Sequence, residues 1–308
     1  MSRLLRSRLL WVVLVCLVLA VSLPWYTGLY VLGLLTIAYY FGVFSMAWDL
    51  LFGYAGEVNF GPTFLIGLGA YTAGILNNRY GLAIPWCVIA GTCAAVLGGV
   101  ALALPALRMR GPYFGLTTLV AVLLIQNLIV VFADLTGGEI GLTVPDVISV
   151  DPRVNYYIAL AFMVISGSIL WALAHSPIGL ILEAIGQDPI EASTLGFNVA
   201  KHKLAAFCVS ALFSGMAGAL LVFYMGTASV GSLIDVSVGV QVIIGAVLGG
   251  RRTIIGAALG ATFLIAAGEA LRPLGTLSTF VVSLVALIVI MLAPGGLLGV
   301  LLRERSSR

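Results

Sequence analysis

Ten apolar runs follow one another with short polar joints between them: residues 9–23, 28–52, 62–76, 84–107, 112–132, 154–174, 204–224, 237–250, 254–271 and 276–293. Crossing the hydrocarbon core of a bilayer takes about 20 predominantly apolar residues as a helix, so the pattern reads as ten membrane segments, two of them short. The runs lack the alternation of lipid-facing and lumen-facing residues that a membrane barrel shows, which excludes strands. Charge agrees, because 15 Lys+Arg, 12 Asp+Glu and 2 His cannot cover 308 residues with a water-facing surface. The expected fold is an all-α polytopic membrane protein, one transmembrane domain over 1–308. Arg3, Arg6 and Arg8 before 9–23, with Ala20-Val21-Ser22 after its core, have the outline of a signal peptide. We read the run as a first helix, since every later segment also spans.

Threading the ten segments alternately through a membrane tests the count, because Lys and Arg concentrate in cytoplasmic joints. Arg3, Arg6, Arg8, Arg108, Arg110, Lys201, Lys203, Arg251, Arg252, Arg303, Arg305 and Arg308 fall on one side, twelve against Arg79, Arg153 and Arg272 on the other. Both termini are therefore expected in the cytoplasm. The long outer joint 133–153 carries Asp134, Glu139, Asp146 and Asp151. The basic residues report topology and give no reason to expect a nucleic-acid partner. Four dispersed cysteines and two histidines without ligand spacing suggest neither a disulfide framework nor a metal site.

Two joints stand out. Gly53-Tyr54-Ala55-Gly56-Glu57-Val58-Asn59-Phe60-Gly61-Pro62 contains three glycines and a proline, which break a helix. The run after it, 62–76, is short for a span. Either a discontinuous helix near a transport path or a tight hairpin at the membrane surface accounts for both. The second joint, 175–203, is punctuated as two short helices. Ser176 caps the first, Pro177 starts it and Gly186 ends it; Asp188 caps the second, Pro189 starts it, Glu191 favours its N-terminus and Gly196 stops it. So short a helix is marginal alone and is expected to dock on its own chain or on a partner.

Glu191-Ala192-Ser193 with Gly196 resembles the EAA-x-x-G signature by which permease subunits of ABC importers seat on their ATPases. Six further pieces resemble, in order, the branched-chain amino acid permeases of the LivM type: Gly53-Tyr54-Ala55-Gly56 with Gly61; Gly69-Ala70-Tyr71; Arg110-Gly111-Pro112-Tyr113-Phe114; Thr136-Gly137-Gly138 with Gly141-Leu142; Ser176-Pro177-Ile178-Gly179; and Pro294-Gly295-Gly296-Leu297. The resemblance runs from about residue 40 to 300. It implies an ABC importer permease fold in a bacterial plasma (inner) membrane, carrying leucine, isoleucine or valine. The implied partners are a homologous LivH-type permease, two ATPase subunits and an extracytoplasmic substrate-binding protein. ATP and Mg would sit on the ATPases, with no cofactor on this chain. The ATPase-coupling residues would be Asp188, Pro189, Glu191, Ala192, Ser193 and Gly196; the translocation path would involve Gly53, Tyr54, Gly56, Glu57, Asn59 and Gly61.

This chain departs from the family at Glu57 and Asn59, where Gln and Ser are common, and at Arg251-Arg252, where a further glycine is usual. A Glu57 facing the path would favour a cationic or neutral polar ligand; a Glu57 among headgroups would not bear on it. Asp49, Gln126, Asn127, Gln241 and Glu269 are costly in lipid and are expected to face the bundle interior, Glu269 pairing with Arg272. No G-x-x-x-x-G-K-[ST] loop is present, so the chain holds no ATP in the P-loop manner, and no constellation of catalytic side chains shares a helix face. The rival readings are a permease for urea or short amides, and an ion-coupled secondary transporter titrating Asp49 or Glu57.

Overall fold

The computed structural model describes residues 17–107 and 113–274, with Leu284 and Gly296 beyond them. The tenth expected span, most of the first, Arg110-Gly111-Pro112 and both termini lie outside the described residues. Among the described residues ten helices of six or more residues carry the architecture: α1 (Leu29–Asp49), α2 (Pro62–Tyr80), α3 (Ile84–Ala106), α4 (Tyr113–Val131), α5 (Pro152–Ala174), α6 (Pro177–Gln187), α7 (Pro189–Thr194), α8 (Val199–Met225), α9 (Val236–Gly249) and α10 (Ile254–Ala270). Among the described residues six helical stretches are long and apolar enough to cross a membrane: Leu29–Tyr54, Ile84–Ala106, Tyr113–Val131, Pro152–Ala174, Val199–Met225 and Val230–Gly249. Ile254–Ala270 is apolar but shorter. The protein is all-helical and polytopic, apart from a two-residue antiparallel pairing of β1 (Leu142–Thr143) with β2 (Thr227–Ala228).

Helix starts follow local chemistry. Asp151 accepts from the Arg153 amide at the start of α5, Asn198 from the Lys201 amide at the start of α8, and Asp235 from the Ser237 amide at the start of α9. The expected short span 62–76 is corrected: α2 continues to Tyr80, 19 residues or about 28 Å. Asn77 permits this because its side chain donates to the Leu82 carbonyl and to Asp146, so a polar residue in the last turn has partners.

Small residues let the central helices meet backbone to backbone. α8 packs on both α2 and α3. Gly69 of α2 lies so close to the Gly215 carbonyl of α8 that a Cβ there would overlap it, and Gly91 of α3 approaches the Gly69 carbonyl. Dispersion between closely packed helices replaces the hydrophobic drive that lipid cannot supply. α1 contributes the longest buried run, Ala38 through Leu51, held by Tyr39 to Tyr156 of α5 at 2.7 Å and by Ser45 donating to the Val242 carbonyl of α9.

The polar side chains within spans divide. Asp49 is buried, and Gln126 donates to the Ile234 carbonyl across helices. Asn127 and Gln241, expected inside, are exposed on this chain; Asn127 satisfies itself by donating to the Leu123 carbonyl of its own helix. Glu269 pairs with Arg272 at 3.1 Å and accepts from Tyr30.

α1 runs from Tyr30, beside Glu269 and Arg272, to Asp49, beside Arg252. This direction assigns each joint to an end. The glycine-rich break, the α6–α7 joint and the α9–α10 turn gather at one end, with Lys201, Lys203, Arg251 and Arg252. Arg79, Arg153, Arg272 and the β1–β2 pairing lie at the other.

Candidate functional site: the coupling end

The break continues α1 before it departs from it. Leu50–Tyr54 form a π-turn, with the Ala55 amide donating to the Leu50 carbonyl. The chain then turns at Gly56, φ 73°, and runs irregularly to Gly61. Such backbone is tolerated at membrane depth only when protein covers it, and Gly53, Tyr54, Ala55, Asn59 and Gly61 are all buried. Trp48 donates to the Asn59 carbonyl at 2.6 Å, the Asn59 side chain accepts from the Gly61 amide at 2.8 Å, and Thr118 of α4 accepts from the Phe60 amide at 3.0 Å. Asn59 Nδ2 and Thr63 Oγ1 are buried without a hydrogen-bond partner among the described residues.

The second joint folds as its punctuation foretells, with one correction. Ser176 Oγ accepts from the Gly179 amide, and Asp188 Oδ1 accepts from the amides of Ile190 (2.8 Å) and Glu191 (3.1 Å). Gly196 has φ 90°; its amide donates to the Ser193 carbonyl and the Phe197 amide to the Ala192 carbonyl, closing α7 with a Schellman motif. Ala192 is buried against the chain, whereas Ile190 and Leu195 are 75% and 73% exposed, with Glu191, Ser193 and Thr194 also exposed. Gly186 is not the stop expected for α6, which continues to Gln187. A Cβ on Gly186 would overlap the Tyr54 carbonyl, so its smallness serves packing on the break.

The two joints therefore touch. A Cβ on Gly56 would come within 2.9 Å of Gly186 Cα, and Glu57 is ion-paired with Lys203 at the start of α8. Glu57 is thus part-buried and neutralised by a cation from the second joint. Of the residues singled out in the break, Gly53, Tyr54, Gly56 and Glu57 sit at this junction, while Asn59 and Gly61 turn toward α4 and Thr118.

The α9–α10 turn completes the end, and its role was not legible in advance. Asp49 Oδ1 accepts from the Arg252 amide at 3.1 Å, holding Arg252 at φ 63°, a left-handed conformation that glycine adopts without strain. That anchors the guanidinium, whose Nε donates to the Gly53 carbonyl at 2.9 Å and whose Nη1 donates to Glu183 of α6 at 3.0 Å. Tyr54 donates to the Arg252 carbonyl, and Arg251 lies 4.6 Å over the Phe52 ring. The only advance signal was a pair of arginines where the resembled family has glycine.

The chain is 29% identical over 317 aligned residues to the high-affinity branched-chain amino acid transport system permease protein LivM of Escherichia coli (strain K12), covering 92% of this chain and 73% of that one. The LivM protein of Salmonella typhimurium is 26% identical with the same coverage. The guanosine ABC transporter permease protein NupQ of Bacillus subtilis (strain 168) is 28% identical over 53% of this chain and 58% of its own length. No solved structure matches. These relatives are transport permease proteins, and the model of the branched-chain amino acid transport system / permease component family matches residues 30–294. The chain belongs to that permease family.

Proposed function

We propose that this chain is the permease subunit of an ATP-driven ABC importer of leucine, isoleucine or valine in a bacterial plasma (inner) membrane. The exposed α7 carries the reading: a helix capped at both ends by its own sequence, docked on the chain through Ala192 and presenting Ile190, Glu191 and Leu195 outward, suits insertion into an ATPase subunit. In this reading 1–308 is one transmembrane domain of ten spans, with 175–203 as its coupling loop and Asp188, Pro189, Glu191, Ala192, Ser193 and Gly196 as the ATPase contact. Movement of the loop reaches the translocation path through the break at Gly53, Tyr54, Gly56, Glu57, Asn59 and Gly61. ATP and Mg are held by two partner ATPases; a LivH-type permease and an extracytoplasmic binding protein complete the assembly. In this reading Asp49 serves to hold the α9–α10 turn.

Reconstituted with these partners, the complex is expected to accumulate at least one of the three amino acids in an ATP-dependent manner. The likeness to a guanosine permease supports a second reading, so guanosine, and urea as the short-amide representative, belong in the same assay. Uptake of either, with none of the amino acids carried, would replace the substrate while keeping the permease.

For topology, the charge asymmetry predicts that a cysteine placed at Ser307 is modified by an impermeant thiol reagent only after the cells are permeabilised. Modification from outside intact cells would reverse the orientation or change the number of spans.

A further inference from the structure

The coupling loop is fastened to the membrane core at three points within one small region. Glu183 of α6 meets Arg252 at 3.0 Å, Gly186 of α6 lies against Tyr54 and Gly56, and Lys203 at the start of α8 pairs with Glu57. Arg252 differs from the other contacts because it grips both partners at once, the loop through Glu183 and the break through the Gly53 carbonyl. Its own backbone is pinned by the buried Asp49 and by Tyr54, so the guanidinium is held from behind.

We propose that Arg252 is a positioning residue that clamps the coupling loop to the glycine-rich break, so that displacement of α6–α7 moves the break in step. The inference rests on the importer reading above and adds to it a specific transmission element. The Arg252–Glu183 pair is about one-third exposed on both sides, and such pairs add little to stability. Its geometry is what matters. Gly186 and Gly56 form a contact without side chains, on which α6 can pivot; two ion pairs on either side of that pivot, Arg252–Glu183 and Lys203–Glu57, turn a pivot into a clamp. A glycine at 252 would fit the left-handed turn equally well yet provide no grip, so the arginine trades an unstrained turn for a fixed connection.

The test uses the full complex with its ATPases in proteoliposomes, leucine as the transported probe, and three variants: Glu183→Gln, Arg252→Gly, and the two substitutions combined. Arg252→Gly keeps the backbone conformation, and Glu183→Gln alters only a part-exposed side chain, so both are expected to fold. Expected are undiminished ATPase co-purification, a fall of about five-fold in leucine moved per ATP hydrolysed, and amide exchange in 177–194 faster by about ten-fold. The combined variant should lose no more transport per ATP than Arg252→Gly alone, because both substitutions remove the same link, whereas two independent structural defects would add. Wild-type transport per ATP in either single variant, unchanged amide exchange, or additive losses in the combined variant would each overturn the clamp. A wild-type complex that hydrolyses ATP without moving leucine or any other substrate of the uptake assay above would instead overturn the importer reading and take the clamp's role with it.

Discussion

Gly196→Val is expected to reduce ATPase co-purification and uptake by about ten-fold while leaving membrane insertion intact. The cause is conformational, since a side chain at this position would meet nothing within 4 Å. At φ 90° a β-branched residue clashes with its own backbone, which costs on the order of 1 to 2 kcal/mol. The Schellman closure, Gly196 to Ser193 and Phe197 to Ala192, depends on that φ, and a six-residue helix has little stability of its own to offset its loss. Gly196→Asn separates conformation from composition, because asparagine tolerates the left-handed region, and it should retain most of the activity. Glu191→Lys should act in the same direction more mildly, by placing a positive charge in the first turn against the helix dipole. Pull-down of the ATPase and uptake in vesicles read both effects. Wild-type binding and uptake in Gly196→Val and Glu191→Lys alike would reduce α7 to a linker.

A different loss is expected from Gly69→Val, which should abolish a monodisperse folded protein or lower its melting temperature more than any other substitution considered. The new Cβ would overlap the Gly215 carbonyl, and Gly91 presses on the Gly69 carbonyl from the third helix, so α2 cannot back away. Overpacking in a close-packed interior costs about 1 to 3 kcal/mol where side chains can yield; here the obstacle is backbone, which cannot turn to another rotamer. Gly69→Ala should show the same defect in weaker form. Thermal unfolding followed by size-exclusion in detergent would measure it, and an unshifted Gly69→Val profile would mean that α2, α3 and α8 do not meet as described.

What could be read from the residues was whatever local chemistry determines. Ser176, Asp188 and Gly196 act as caps and stop because a cap is a bond between a side chain, or a backbone angle, and the next few amides. The break at Gly53–Gly61 was legible for the same reason. Contacts between distant segments were not. Gly186 has the look of a helix stop, but its use is set by Tyr54 across the fold, and nothing at either position names the other. Arg252 is 199 residues from Gly53 along the chain and 69 from Glu183; its two arginines signalled a departure from the family pattern but not its use. The end of α2 was misjudged because Asn77, Asn78 and Arg79 read as a polar joint; their partners, Asp146, Thr143 and the Asp134 carbonyl, lie in the outer joint.

α8 has a property that follows from its length. Its 27 residues make an unbroken rod about 40 Å long, beginning at Asn198 beside the Lys203–Glu57 pair and ending at Gly226. Immediately past Gly226 the chain enters β2, and the Gly226 carbonyl accepts from the Val144 amide of the opposite joint. A single helix of this length joins the two ends of the bundle without a hinge, so the Lys203–Glu57 pair and the β1–β2 pairing are held at a fixed separation. The β1–β2 pairing therefore belongs to the same rigid piece as the Lys203–Glu57 pair, although the two lie at opposite ends of the bundle.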